Sequence, residues 1–433
     1  MKILWVVNIP FPEVCLLMNE NPIYSGGWLI SAAKNIAIQK NIELFIAFPK
    51  DNINRNLKLN GEIITYYGFK TIYDKDINQP SKWNPLKNIV QEVKPDIVHI
   101  HGTELAHTLA MVKVCEKEKV NTIITIQGLT SIIKKHVYSN LPLDVIYGFT
   151  FRNLLRRDNI KGLQRLYNKR GINEIQAIKA VKHVIGRTTW DKACSLQINP
   201  NVNYHFCNES LREEFYMHKW DIEKCEKNSI FLSQSQYPIK GLHLLLEAMP
   251  IILKRFPDAK LYISGKNIIK SDSIKDRLLI TYYGNYVKRL ISKFNLEGKI
   301  NFTGPLDEKE MCRRYLSSNV FVCPSTIENS PNSLGEAMIL GLPCVASDVG
   351  GISDMLTHKD EGFIYQADAP YMLAYYICEI FGEKNLAIKF SENARKHALM
   401  THNINANTNT LIEIYKSITD DVKTVKYYQV MGG

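Results

Sequence analysis

Short β-branched runs alternate with helical stretches along almost the whole of this 433-residue chain, the rhythm that a parallel sheet with crossover helices requires. Strands are predicted in the first half at 3–7, 44–48, 62–65, 96–101, 122–126 and 184–186, with helices over 28–39, 86–93, 106–118 and 174–182. A second series starts at 229, with strands at 230–233, 259–264, 300–302, 320–323, 344–347 and 362–365. Residues 209–228 are charged and lack a strand pattern, so the hinge is expected there. The reading is α/β, with two Rossmann-like domains at 1–215 and 216–404. The remainder, 405–433, is expected to hold a helix near 408–418 and then to fray, and is a candidate for packing back on the first domain. The length suits two domains of about 200 residues each. Ligands of open parallel sheets bind beyond the carboxyl ends of the strands, so chemistry is expected where two such sheets face a common cleft.

Composition narrows the class. Hydrophobic residues are 45% and charged residues 22%, as in water-soluble globular proteins. The first apolar run ends at Asn8 and Pro10, short for a signal peptide, and nothing approaches the roughly 20 apolar residues of a membrane span. A cytoplasmic protein is expected. Nine cysteines, from Cys15 to Cys378, form no Cys-x-x-Cys pair and read as reduced thiols. The net charge of +11 is uneven: residues 134–182 hold eleven Lys or Arg against Asp144, Asp158 and Glu174. Aromatic and leucine side chains, among them Phe149, Phe151, Leu154 and Leu155, interleave with these cations, which suits a face resting on an anionic membrane. No nucleic-acid recognition motif accompanies the block, so nucleic acid is not an expected partner.

The densest signal is Cys323-Pro-Ser-Thr-Ile-Glu328-Asn-Ser-Pro-Asn-Ser333-Leu334-Gly-Glu336, followed by Gly341 and Pro343. A buried strand opens into a polar loop and then a short helix, with Asn332 or Ser333 expected as N-cap and Gly341 as the stop. Amides at that helix start form an anion site that can take a pyrophosphate without a metal. Glu328 is expected on the loop and Glu336 on the first turn, where carboxylates suit sugar hydroxyls.

With these residues stand Lys240-Gly241 ahead of a helix, Phe302-Thr-Gly304-Pro, Gly341-Leu-Pro-Cys-Val-Ala-Ser-Asp-Val-Gly350-Gly351 and Glu361-Gly-Phe. In this order and spacing, over nearly the whole chain, the sequence resembles the retaining glycosyltransferases of GT-B fold (the family 4 type). The resemblance implies two Rossmann-like domains facing across a deep cleft and a nucleotide-sugar donor held by the second. It implies that Glu336 binds ribose hydroxyls, Glu328 touches the transferred sugar, the amides around Ser333 and Leu334 hold the diphosphate with Lys240, and Gly304 lies beside the base. It implies that Gly26 and Gly27, in Tyr24-Ser-Gly-Gly-Trp28, close over the diphosphate from the first domain. It places the acceptor on that domain too, so the basic block there is expected to meet a lipid-linked glycan in surface polysaccharide assembly.

His101 ends a predicted strand and is a candidate contact to acceptor or donor sugar. Gln127 stands where many relatives carry His; it can hydrogen-bond a sugar but cannot act as a base near neutral pH. Ser233-Gln-Ser-Gln236 replaces the family's usual Gly-Arg, removing a cation, and Arg187 is the candidate substitute. The single Asp-x-Asp, Asp74-Lys-Asp76, lies in an irregular stretch, so no metal is expected. Two other readings remain open: a GT-B sugar-nucleotide epimerase, and a non-catalytic nucleotide-sugar or membrane-binding partner protein.

Overall fold

A computed structural model describes residues 1–22, 26–156 and 158–431. Tyr24, Ser25 and Arg157, which belong to stretches singled out above, lie outside the described residues. The chain forms two compact units: 1–131 with 168–211 and 402–433, and 132–167 with 212–401.

The first unit holds β1 (Lys2–Val6), β2 (Glu43–Lys50), β3 (Leu57–Asn60), β4 (Thr65–Lys70), β5 (Ile97–His101), β6 (Asn121–Thr125), β7 (His183–Gly186) and β8 (Asn203–Phe206). Their order in one sheet is β3-β4-β2-β1-β5-β6-β7-β8, parallel except for the β3–β4 pair. β5 is buried along its whole length, as expected of a central strand covered on both faces. Of the predicted strand at 62–65 only Thr65 is in a strand, as the first residue of β4; residues 62–64 make the turn, where the Gly61 N–H donates to the Ile64 carbonyl at 2.9 Å and β3 folds back on β4. β8 escaped prediction because Asn-Tyr-His-Phe lacks an apolar run.

The second unit holds β9 (Ser229–Leu232), β10 (Lys260–Ser264), β11 (Ile300–Gly304), β12 (Val320–Cys323), β13 (Cys344–Ser347) and β14 (Gly362–Tyr365), all parallel, in the order β11-β10-β9-β12-β13-β14. The order reverses between β9 and β12, where Phe231 stands opposite Phe321. In the first unit it reverses between β1 and β5, where Trp5 stands opposite His99. These are the switch points at which doubly wound sheets bind ligands.

One segment lies elsewhere than the sequence suggested. Residues 132–167, read as part of the first domain, cluster with the second unit. They are stitched there by the Ser139 carbonyl, which lies 2.8 Å from His243 Nε2, and by the Asn153 carboxamide, which accepts the Tyr282 N–H at 3.0 Å. The tail forms one helix, Ile404–Met431, longer than the expected 408–418, and belongs to the first unit. Its Leu411, Ile414, Tyr415 and Ile418 join the core around Trp5, Phe48 and Tyr66. Among the described residues, no helix is long and apolar enough to cross a membrane.

Candidate functional site

Lys240 closes a 3-10 turn, Pro238–Lys240, after β9. The next residue, Gly241, has φ 72°, and a Cβ there would stand 1.8 Å from the Pro324 carbonyl oxygen. Only glycine lets the loop after β12 pass this close. The Thr326 N–H donates to the Ile239 carbonyl at 2.8 Å, so the two loops form one piece. A second glycine plays the same part behind Glu328. Gly350 has φ 55°, a Cβ there would lie 1.8 Å from the Glu328 carbonyl oxygen, and the Gly351 N–H donates to that oxygen at 3.2 Å. The Ser347 hydroxyl donates to the Ser325 carbonyl at 2.5 Å, anchoring the loop to β13.

On this support, Lys240 Nζ donates to Glu328 Oε1 at 2.5 Å and the Ser325 hydroxyl donates to the same oxygen at 2.7 Å. Glu328 Oε2 keeps no protein partner among the described residues. Lys240, Glu328 and Ser333 line one cavity with Ser233, Gln234 and Cys323. Burial opposes the charge on Lys240, but Glu328 outweighs it, and the lysine pKa lies above its ordinary value. The cation is therefore fully charged at neutral pH.

The helix Asn332–Leu340 starts at an N-cap that is Pro331 rather than Asn332 or Ser333, and no side chain caps it. The Leu334 N–H donates to the Pro331 carbonyl at 2.9 Å, which engages one of the two amides expected to face a diphosphate; the Ser333 amide precedes it at the uncapped end. Glu336 is the fifth residue of the helix, one or two residues further in than expected. It is buried, and Arg212 grips it through both oxygens, Nε to Oε1 at 2.6 Å and Nη2 to Oε2 at 2.7 Å. Burial raises the Glu336 pKa and Arg212 pulls it back. Gly304, with φ 81°, ends β11 facing open space, and its carbonyl accepts the Gly265 N–H at 3.0 Å.

The first unit carries the other candidates. Gly26, with φ 74°, is the N-cap of the helix Gly27–Ala37, a conformation suited to glycine. His101 and His99 lie with ring centroids 3.9 Å apart, and Trp5 covers His101 at 4.4 Å. Both histidines and both Trp5 and Trp28 line a cavity of about 40 Å³. His99 is fully paired: Nδ1 lies 2.6 Å from the Tyr415 hydroxyl and Nε2 lies 2.6 Å from Thr125 Oγ1. Because the Tyr415 oxygen accepts Trp5 Nε1–H at 2.9 Å, its own buried proton goes to His99 Nδ1, which leaves the His99 proton on Nε2. His101 has neither nitrogen hydrogen-bonded and is 5% exposed. Burial holds His99 at about 3, and burial together with His99 holds His101 well below its ordinary value, so both rings are neutral.

Gln127 Nε2 donates to Glu209 Oε1 at 2.8 Å, and the buried Arg187 guanidinium pairs with the other oxygen of Glu209. The candidate substitute cation is thus held by a carboxylate of its own unit. Sequence reasoning missed Arg212, Glu209 and Tyr415. Each acts on a partner distant in sequence, 124 residues away for Arg212 and 316 for Tyr415 and His99, and no local pattern marks such a pair.

Residues 214–397 match the family model described as Glycosyl transferases group 1. YtcC of Bacillus subtilis (strain 168) is 28% identical over 205 residues, covering 47% of this chain and 48% of that protein. A phosphatidyl-myo-inositol mannosyltransferase of Mycobacterium tuberculosis is 28% identical over 149 residues, covering 34% and 35%. This chain thus spans half or less of the length of these curated relatives. Among solved structures, sucrose-phosphate synthase from Thermosynechococcus elongatus superposes with a TM-score of 0.71 at 14% identity, covering 97% of this chain and 100% of that one. Anabaena HepE in complex with UDP-glucose superposes at 0.64 and 16%, covering 96% and 100%. Sheet order and superposition agree: this chain has the GT-B fold, and within its second unit residues 214–397 match the model of the glycosyl transferases group 1 family.

Proposed function

We propose that this chain moves a sugar from a nucleotide-sugar donor, a UDP- or GDP-sugar, to a glycan acceptor, retaining the anomeric configuration and using no metal. The observation that carries this is the convergence of Lys240, Glu328 and Ser333 at the carboxyl ends of β9 and β12. As the sugar leaves, negative charge develops on the diphosphate; a charged lysine beside an uncapped helix start is placed to stabilise it. Glu328 Oε2, free of protein partners among the described residues, would position the sugar and shield positive character at its anomeric carbon. Each Glu336 oxygen spends one lone pair on Arg212, which leaves capacity for ribose hydroxyls. Positive charge from Lys240 and the helix makes a metal unnecessary. Asp74 of the Asp-x-Asp pair bonds Asn173 at 3.2 Å, and Asp76 accepts the Tyr73 N–H at 3.1 Å, so both already have protein partners.

The complexes of HepE with UDP and with UDP-glucose support a UDP-sugar donor. The mannosyltransferase relative, whose name includes a phosphatidylinositol, supports a lipid-linked acceptor at an anionic membrane, of the kind used in surface polysaccharide assembly. His101 and Gln127 would meet that acceptor on the first unit.

The test is a thermal-shift series of the full chain with UDP-, GDP- and ADP-sugars, followed by donor turnover with and without crude lipid acceptor. One donor class is expected to raise the melting temperature and to be consumed only when acceptor is present. A modified donor formed without acceptor would instead establish an epimerase, and binding without turnover a non-catalytic partner protein.

A further inference from the structure

The segment 132–167 carries seven Lys or Arg against Asp144 and Asp158, and both acids are spent: Arg152 pairs with Asp158 at 2.9 Å and Arg289 with Asp144 at 3.1 Å. Within it the helix Phe151–Arg156 is amphipathic in the reverse sense. Its buried residue is polar: Asn153 accepts the Tyr282 N–H at 3.0 Å and donates through Nδ2 to Asp158 at 2.7 Å. Its outward residues are apolar, with Phe151, Leu154 and Leu155 exposed over 57%, 68% and 69% of their surface. Spacings of three and four place these on one helix face.

The helix Ile274–Leu279 also turns apolar side chains outward. It begins in a capping box of Ser273 and Asp276, and Ile274 and Leu278 stand exposed. Arg152 Nη1 donates to the Leu279 carbonyl at 3.2 Å, joining the two helices. One unit of the molecule therefore presents two neighbouring helices with exposed apolar side chains, with Phe149 also exposed two residues ahead of the first, among the cations of 132–167. Contiguous apolar patches beyond a few hundred Å² mark interaction sites. Charge selects the occupant. A second copy of this chain would bring an equally basic face against this one, whereas an anionic lipid surface complements it.

We infer that the helices Phe151–Arg156 and Ile274–Leu279 form a docking surface for an anionic lipid leaflet, their apolar side chains entering the acyl boundary while the flanking arginines and lysines meet lipid phosphates. This deepens the proposed function by placing the membrane contact on the unit that holds the nucleotide site, and rests on that reading only for the acceptor the membrane presents.

The test is sedimentation of the full chain with vesicles of phosphatidylcholine alone or mixed with phosphatidylglycerol, at low and high salt. Binding to the mixed vesicles, weakened by salt, is expected. Leu154→Ser with Leu155→Ser should lower the partition coefficient by about tenfold or more, since two leucine side chains leave the lipid. Both positions are exposed, so the parent's melting temperature should be kept. Equal partition of variant and parent, binding to neither vesicle, or a parent dimer that the substitutions split would overturn the inference, the last by assigning the surface to a second copy. The assay contains no nucleotide sugar, so its failure leaves donor binding, read by thermal shift, standing.

Discussion

His99 and His101 show how one residue's pairing sets another's chemistry. Tyr415 and Thr125 fix the first ring and its tautomer, and that ring packs at 33° against the second, which lines a cavity with both nitrogens buried and unbonded. The neutral state of this pair makes stability depend on pH. Their folded pKa values are depressed, His99 to about 3 from the ordinary 6.5. The unfolded chain therefore binds more protons over that interval, and stability rises with pH through it. The contribution is complete above 6.5 and is lost as pH falls toward 3. A melting-temperature series from pH 8 to pH 4 should fall on the acid side, and His101→Gln should flatten the fall. An unchanged slope in the variant would show that His101 is not the neutral buried ring described here.

At the scale of elements, the loops that carry Lys240 and Glu328 are held less by side chains than by close backbone approach. Gly241 and Gly350 both adopt left-handed φ where a Cβ would strike a carbonyl oxygen. Gly350→Ala combines about 1–2 kcal/mol of conformational strain with that overlap, and the atom displaced is the carbonyl of Glu328 itself. Loss of donor affinity together with at least this loss of stability in urea unfolding is expected; parental values for both would contradict the geometry. These elements were legible in the sequence because each follows a strand end and is punctuated by glycine, so Lys240, Glu328 and Ser333 could be placed in advance. Others were not. The helix Ile160–Ala180 was recognised only in its last part, since Gly162 and Gly171 interrupt the apolar period. Gly171 is there for contact, as a Cβ would lie 2.7 Å from Ser131 Cα. The 62–64 stretch was read as strand but serves as a turn, because hydrogen bonding from Gly61 to Ile64 prevailed over propensity. The Arg212–Glu336 pair was invisible, and it changes the picture of Glu336 from an open carboxylate to one shared with a guanidinium.

Across the whole molecule, two doubly wound units each offer a switch point, and the chain crosses between them more than once: 132–167 leaves the first unit for the second, and 402–433 returns to the first. The first unit therefore depends on the end of the chain for its core, through Tyr415 against Trp5 and His99. The functional account rests on the second unit's switch point binding a diphosphate through Lys240. Titration of the parent and of Lys240→Ala with UDP and with uridine, followed by calorimetry, tests this most directly. The account predicts that UDP binds the parent far more tightly than uridine does, and that Lys240→Ala removes most of the difference by costing UDP roughly 2–5 kcal/mol, the range for loss of one charged partner at a desolvated site. Equal affinities of UDP and uridine for the parent, or a variant that binds UDP as the parent does, would contradict it.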